Sequence, residues 1–264
     1  MRELFAHLSL AWPLAKRDVM ARYRGSVAGV LWTLIGPLVM VAIYSAVFQG
    51  VFKARWVGSA GSAEGGGIDF ALRVFAGLIV FSAVAEVASR ATRLMQDNAN
   101  LVKRVVFPLE LLCVALVLQV GLHAGLQLLV LGALQVLIGS GFGASAAWLL
   151  LVLPWLVLLL LALALGIASL GCYLRDLQHL IPLAMSGLLF LSPVFYSAAA
   201  APEPLRWLLA VNPLSGPIQA LRAACFGDPF GLSDGLVPLL LAGLGLVAMR
   251  ALFARLRPGF ADLV

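Results

Sequence analysis

The residues that could do chemistry in this chain are few and scattered. The histidines His7, His123 and His179 form no H-x-x-x-H or H-E-x-x-H pattern, and no two carboxylates stand three or four residues apart. Zinc sites and paired acid–base groups on a helix use such spacings to bring their side chains onto one face. The sequence therefore predicts neither a catalytic centre nor a metal site.

A nucleotide site is not indicated either. Each of the three lysines, Lys16, Lys53 and Lys103, lacks the preceding glycine that a P-loop requires. The chain is therefore predicted to bind no cofactor of its own, and any ATP that it uses is expected to be bound by another chain. Three cysteines, an odd number with no C-x-x-C pair, are expected to be small buried hydrophobes; they are Cys113, Cys172 and Cys225.

One polar stripe stands out within an apolar run. Gln119, His123 and Gln127 follow one another at intervals of four, so a helix would place them on one face. Polar groups inside a membrane indicate a functional pathway or hydrogen bonds between helices. Both interpretations are open at this stage.

The composition indicates a membrane protein. Hydrophobic residues make up 62% of the chain and charged residues only 11%, against roughly 45–50% and 25% in soluble domains. Too few charges remain to cover a soluble fold of 264 residues. The net charge of +6 does not favour nucleic acid, because the basic residues lie between apolar runs, as membrane anchors do.

We predict an all-α fold with six transmembrane helices. A span needs about 20 mostly apolar residues. The predicted spans are 28–52, 70–89, 108–138, 146–171, 178–197 and 234–253.

Lysine and arginine predict the orientation of these spans. With the N-terminus in the cytoplasm, thirteen of the eighteen Lys and Arg residues fall on the cytoplasmic side, which is the bias that cytoplasmic loops show. Six spans then return the C-terminus to the cytoplasm. The first 26 residues contain no cleavable signal, so the chain is expected in the cell inner (plasma) membrane.

Three segments outside the spans have distinct patterns. Residues 1–26 predict an amphipathic helix in the membrane interface, with Leu4, Leu8, Trp12, Ala15, Val19 and Tyr23 on its apolar face. Residues 57–67 are rich in Gly and Ser and predict a flexible external loop. Residues 198–233 contain five prolines and predict two short helices that re-enter the outer leaflet and line the outer mouth of a cavity.

Three stretches of the sequence resemble a known family. Residues 16–26 read K-R-D-V-M-A-R-Y-R-G-S, followed by G-V-L-W at 29–32 and G-P-L at 36–38. This run is similar to the start of the permease subunits of ABC-2 type polysaccharide and polyol-phosphate exporters. The stretch N-A-N-L-V-K-R-V-V-F-P at 98–108 resembles their loop between the second and third spans, and N-P-L at 212–214 with Arg222 their segment before the last span.

The resemblance implies a function and partners. Such permeases export O-antigen, capsule or teichoic acid chains, form a channel between two copies of the chain, and each bind an ATPase subunit that uses ATP and Mg²⁺. It also implies that a short cytoplasmic helix at 97–104 couples to the ATPase, through Asp97, Asn98, Asn100, Leu101, Lys103 and Arg104. By local pattern alone, Asp97 and Asn98 are good helix N-caps, and the stretch is otherwise an ordinary basic loop.

Two further groups are candidates for contact with a lipid-linked glycan. Sugars stack on aromatic rings, so the glycan-channel candidates are Tyr44, Phe48, Phe190, Phe195, Tyr196 and Trp207; an aromatic belt at the lipid interface is the alternative. The candidates for an interfacial gate that attracts a pyrophosphate headgroup are Arg17, Asp18, Arg22, Tyr23 and Arg24. For the arginines, binding to anionic membrane lipids is the alternative.

Two other functions are alternatives for such a chain. An ABC-2 exporter of drugs or lipids often has a large external domain between its first two spans, whereas this loop is about twenty residues long. A membrane-embedded transferase that acts on a lipid carrier would need a His or Asp pair at a membrane boundary, and the sequence has none. The polysaccharide branch is therefore the favoured interpretation.

Overall fold

The structure is a computed structural model that describes residues 12–13, 15–16, 20, 32–50, 66–103, 107–138, 141, 143–198 and 201–264. Within these ranges every regular element is helical. The α-helices, numbered in chain order, are α1 (Trp32–Gly50), α2 (Gly66–Ala91), α3 (Leu94–Asp97), α4 (Ala99–Val102), α5 (Glu110–Leu137), α6 (Leu149–Tyr173), α7 (Leu177–Leu191), α8 (Glu203–Val211), α9 (Ser215–Phe226), α10 (Leu232–Leu256) and α11 (Phe260–Leu263). Short 3-10 turns, Ala144–Trp148 and Arg257–Gly259, precede α6 and join α10 to α11.

Four helical stretches are long and apolar enough to cross a membrane. They are Ile68–Ala91, Glu110–Leu137, Ser145–Tyr173 and Leu232–Leu263. They overlap four of the predicted spans. A membrane protein with an all-helical fold is thus confirmed for the described residues.

The predicted span at 178–197 is too long. α7 ends at Leu191, after 15 residues, or about 22 Å at 1.5 Å per residue. Ser192 has extended backbone (ψ 150°) because it precedes Pro193, and a residue before proline avoids the helical region. α1, in the predicted span 28–52, has 19 described residues and contains Pro37 within the helix.

The bundle has two chemically different ends. At the basic end, α2, α6 and α10 terminate and α5 begins; its basic residues are Arg90, Arg93, Lys103, Arg175, Arg250, Arg255 and Arg257. At the proline-rich end, α2 and α10 begin, close to the segment 192–231. Contacts join distant residues at each end: the Tyr173 hydroxyl donates to the Leu256 carbonyl (2.9 Å) at the basic end, and Arg73 pairs with Asp228 at the other.

Helix α2 forms the centre of the bundle. It packs against α1, α5, α6, α7 and α9, and every residue from Phe70 to Gly77 is buried. α10 packs mainly on α6 and leaves most of its other apolar side chains exposed. α7 buries no residue within this chain. The core is therefore built around α2, and α7 and α10 lie at its periphery.

Two glycines allow close contacts between these elements. A Cβ added to Gly171 of α6 would lie 3.0 Å from the Thr92 carbonyl carbon and nearer still to its oxygen. A Cβ on Gly216 of α9 would overlap the indole of Trp155, which is buried in α6. At these two positions α6 meets the end of α2 and the start of α9, and a side chain would push them apart.

We predict that Gly171→Ala destabilises the fold, because the Thr92 backbone cannot move away cheaply. Overpacking of this kind costs about 1–3 kcal/mol. The fraction of purified chain that stays monodisperse after heating should fall at a temperature several degrees lower than for wild type. Gly125→Ala is the matched control, since an added Cβ there has no neighbour within 4 Å and alanine favours the helix. Equal heat resistance of the two variants would contradict the packing described.

Candidate functional site

The connection between α2 and α5 at the basic end contains the predicted coupling residues. Over its described residues it forms two one-turn helices, α3 and α4, so the part of the predicted coupling helix at 97–103 is divided between them. Met95 and Val102 are buried and fix these turns to the core. The side chains of Asp97, Asn100 and Lys103 are exposed. The segment is therefore anchored on one side and presents polar groups on the other.

The predicted side-chain capping by Asp97 and Asn98 is wrong, although Asn98 stands at the N-cap position of α4. Asp97 is the last residue of α3, and neither residue makes a side-chain cap to the following helix. Instead, the Asn98 Nδ2 donates to the Leu94 carbonyl at 2.9 Å. Asn98 thus satisfies the end of the preceding helix, because α3 stops after one turn and leaves its carbonyls unpaired.

Contacts with α6 hold the coupling segment in place. The Gln96 Nε2 donates to the Gly171 carbonyl at 3.3 Å, next to the close approach of Gly171 and Thr92. Leu101 is half-buried and packs against the core. A force on α3 and α4 would therefore act on α6 as well as on α2 and α5.

The polar stripe of α5 makes a hydrogen bond between helices. The buried Gln119 Oε1 accepts from Arg90 Nη2 of α2 at 2.8 Å, and Arg90 also pairs with Glu86 at 3.2 Å. The His123 Nδ1 lies 3.2 Å from the Gln119 carbonyl of its own helix. Of the two interpretations of the stripe, the structure supports hydrogen bonding between helices at Gln119.

At the proline-rich end, Arg222 of α9 binds a set of backbone carbonyls. The side chain is 2% exposed. Its Nε donates to the Arg73 carbonyl (3.0 Å), its Nη1 to Pro193 (2.6 Å) and its Nη2 to Val194 (2.6 Å). Gly77 leaves the necessary room, because a Cβ there would lie 2.9 Å from Nη2. Arg222 thus ties α9 to α2 and to the turn after α7.

A second buried arginine, Arg73, reinforces this end. Its Nε donates to Asp69 at 2.8 Å, and its Nη1 contacts both oxygens of Asp228 at 2.5 and 2.6 Å. Its guanidinium also lies 4.6 Å from the centre of the Phe226 ring. Two carboxylates and the face of an aromatic ring thus surround one planar guanidinium, and such charged hydrogen bonds and cation–π contacts stabilise it. α2 is therefore also fixed to the loop after α9.

The junction of α8 and α9 is held against α7. The Asn212 Nδ2 donates to the Leu191 carbonyl (3.2 Å) and to Ser192 Oγ (2.9 Å), and its Oδ1 accepts from the Leu214 amide (2.9 Å). These contacts assign a structural role to the N-P-L stretch, because Asn212 joins the end of α7 to the turn that starts α9.

Four of the six aromatic channel candidates can be located. Phe190 and Phe195 lie with ring centres 6.1 Å apart, and the Tyr196 hydroxyl donates to the Phe190 carbonyl at 3.3 Å. Phe190 and Trp207 are 70% and 66% exposed. The structure therefore brings Phe190, Phe195 and Tyr196 together at the end of α7, with Trp207 on α8.

The remaining candidates lie outside the described residues or side chains. These are the interfacial group Arg17, Asp18, Arg22, Tyr23 and Arg24, the coupling residue Arg104, and the side chains of Tyr44 and Phe48. Their roles stay predictions.

Sequence reasoning missed the two buried arginines. Arg73 entered only the count of positive charges, and Arg222 entered that count and the family resemblance of the segment before the last span, without a structural role for either. The signal available was their isolation in apolar surroundings, since a charge among apolar residues must find partners inside the fold.

Comparison with known proteins covers nearly the whole chain. The family model for ABC-2 type transporters matches residues 10–226. The chain is 25% identical to the O-antigen export system permease protein RfbA of Myxococcus xanthus, across 99% of this chain and 98% of that one. It is 22% identical to RfbA of Klebsiella pneumoniae (95% and 93%). It is 23% identical to the polysialic acid transport protein KpsM of Escherichia coli (88% and 86%).

We predict that Arg222→Met lowers the melting temperature by about 5–10 °C. The change leaves the Pro193 and Val194 carbonyls without their donor, and hydrogen bonds to a charged group contribute about 1.5–3 kcal/mol each. Intrinsic fluorescence of the protein in detergent during heating measures this. Arg206→Met is the control, because Arg206 is exposed and makes a single bond to the Ala201 carbonyl at 3.1 Å. A shift of the same size in both variants would show that the buried contacts of Arg222 stabilise the fold no more than the single bond of Arg206.

Proposed function

The chain belongs to the ABC-2 type transporter family, and we propose that it is the permease subunit of an ATP-driven polysaccharide exporter. The observation that carries this is its similarity, over nearly the full length of both proteins, to two O-antigen export permeases and a polysialic acid transport protein. Its cargo is a lipid-linked glycan of the O-antigen type, moved from the cytoplasmic side across the inner membrane.

The chain crosses the membrane six times in this proposal. The four long apolar helices are joined by α1, about 28 Å long, and by α7, about 22 Å long, at 1.5 Å per residue. The basic end faces the cytoplasm, because Lys and Arg accumulate on that side of membrane proteins. Both termini are then cytoplasmic, and the segment 198–233 lies in the outer leaflet.

Two copies of the chain enclose the channel. The absence of any fully buried residue in α7 and the exposure of most of α10 in the described chain support a partner at these helices. Phe190, Phe195, Tyr196 and Trp207 lie at the outer mouth, where aromatic rings hold sugars by stacking and hydrogen bonds. The lipid-linked headgroup enters near the interfacial helix, through Arg17, Arg22 and Arg24.

A separate ATPase subunit binds ATP and Mg²⁺ and drives this permease. The chain has no P-loop of its own. Asp97, Asn100 and Lys103 are the exposed polar groups of the coupling segment, and its anchors lead to α2 and α6. Closure of the ATPase on ATP moves α3 and α4, and these contacts pass the movement to the bundle. Coupling of this kind is reciprocal, so glycan binding changes the rate of ATP hydrolysis.

We predict that the triple change Asp97→Ala, Asn100→Ala and Lys103→Ala uncouples the exporter. The permease and its ATPase are reconstituted in proteoliposomes with lipid-linked glycan, and glycan translocation and ATP hydrolysis are measured together. The variant should lose translocation and glycan-stimulated hydrolysis but keep its melting temperature, because the three side chains are exposed.

The control for this variant lies at the opposite end of the bundle. Glu203→Ala, Arg206→Ala and Gln219→Ala also remove three exposed polar side chains, and ATPase binding should persist. Normal stimulation in the coupling variant would refute the role of this segment. Failure of the wild-type pair to move any glycan would refute the proposed function.

We predict that a single cysteine at position 206 reacts with an impermeant maleimide from outside only, and one at position 100 from inside only. Both native side chains, Arg206 and Asn100, are exposed, so the label reaches them in the folded protein. The background removes Cys113, Cys172 and Cys225, which are buried. Labelling of both positions from one side would contradict the proposed topology.

A further inference from the structure

A polar cavity of ≈ 310 Å³ lies at the basic end, between the coupling segment and two other elements. Arg93, Gln96 and Ala99 line it from the α2–α4 connection. Arg175 and Gln178 line it from the turn between α6 and α7, and Leu263 and Val264 form the rest of its wall. Three separate parts of the chain thus converge on one opening beside the coupling segment.

Arg93 and Arg175 bring two positive charges to the cavity, and no described side chain forms an ion pair with either of them. The guanidinium groups of Arg93 and Arg175 are exposed, and neither has a carboxylate within ion-pair distance among the described residues. By contrast, Arg73, Arg90 and Arg250 each pair with an acidic residue. Arg93 and Arg175 therefore keep their donors available at the cavity, unlike Arg73, Arg90 and Arg250.

The chemistry of the lining selects an anion. An arginine donates two parallel hydrogen bonds to a carboxylate or a phosphate. The amides of Gln96 and Gln178 also line the rim, but Gln96 Nε2 is engaged with Gly171 and Gln178 Nε2 lies 3.2 Å from His179 Nε2, so the arginines are the main donors. The volume is enough for an acidic side chain, or for one phosphate group, to enter from outside.

The position of the cavity favours a protein in water over a lipid headgroup. Arg93, Gln96 and Ala99 follow the end of α2, and Arg175 follows the end of α6 at Tyr173. Leu263 and Val264 follow the end of α10 at Leu256. The lining therefore belongs mainly to the connections beyond the ends of the long apolar helices, where a protein in water can reach it.

The location also adjoins the surface assigned to the ATPase. Gln96 and Ala99 line the cavity, while Asp97 and Asn100, next to them in sequence, carry the exposed polar groups of the coupling segment. A partner seated on α3 and α4 therefore covers the opening. α11 packs on α4 and α6, which fixes the wall at Leu263 relative to the coupling segment.

We propose that this cavity is a socket for an acidic side chain of the ATPase subunit, which Arg93 and Arg175 bind together. The proposal rests on the proposed function, since it needs an ATPase partner. It extends that function by making the turn between α6 and α7 a second contact with the ATPase. Because Arg93 follows α2 and Arg175 precedes α7, one acidic group would link the central helix to a peripheral one.

The test compares two arginine pairs that carry the same charge. Wild-type chain and variants are placed in nanodiscs of phosphatidylcholine, and the affinity of the purified ATPase subunit is measured. Arg93→Gln with Arg175→Gln should weaken binding by about tenfold or more. Arg255→Gln with Arg257→Gln removes two exposed arginines at the same end that do not line the cavity, and should change binding less than about threefold.

Each alternative result has a definite meaning. If both arginine pairs weaken ATPase binding equally, or if the change at Arg93 and Arg175 does not weaken it, the proposed socket is wrong. Weakening that occurs only in nanodiscs with phosphatidylglycerol would assign the site to lipid phosphate and also overturn it. If the double change at Arg93 and Arg175 lowers the melting temperature, the single variants Arg175→Gln and Arg175→Lys are compared instead. Arg175→Gln, which removes the charge, should weaken ATPase binding, and Arg175→Lys, which keeps it, should weaken binding less. A wild-type chain that binds no ATPase would refute the proposed function, and the socket with it.

Discussion

The constraint on which this structure depends is that polar groups inside an apolar bundle must find their partners within the protein. Arg222 meets it at the proline-rich end. The chain there leaves helical geometry after α7, and the carbonyls of Pro193 and Val194 have no helical partner. The guanidinium supplies their donors at 2.6 Å each, and these carbonyls in turn replace the water that a buried cation has lost. Without the guanidinium the two carbonyls would lack donors, and without the carbonyls the buried guanidinium would lack acceptors.

Helix α2 joins these contacts of Arg222 to the coupling segment at the other end of the bundle. Its residue Arg73 offers a carbonyl to Arg222 and a side chain to Asp228. Seventeen residues later, about 25 Å along the helix, Arg90 pairs with Glu86 and donates to Gln119. Since α2 is buried along most of its length, the two ends of the bundle are joined by one continuous helix that is packed on both the coupling segment's side and the proline-rich side.

The sequence was sufficient to predict what depends on composition and local pattern. Four spans, the charge asymmetry and the breaks at proline follow from runs of apolar residues and from the chemistry of single residues. What it could not predict depends on contacts between distant residues. Arg222 meets Pro193 across 29 positions and Arg73 across 149, and no local spacing indicates either contact. The N-cap prediction failed for a related reason: Asn98 can accept from the helix after it or donate to the helix before it, and only the early end of α3 decides between them.

The short length of α7 relates the buried contacts of Arg222 to the proposed transport function. In the proposed topology α7 spans the membrane, yet its 15 residues cover about 22 Å, less than the roughly 30 Å of hydrocarbon. One of its ends must therefore lie within the apolar layer, and irregular backbone is tolerated there only beside protein or a water-filled cavity. Arg222 and Asn212 provide the protein side of that environment. Phe190, exposed at the same end of α7, then faces the remaining side, where an outward path for a sugar chain would supply the water.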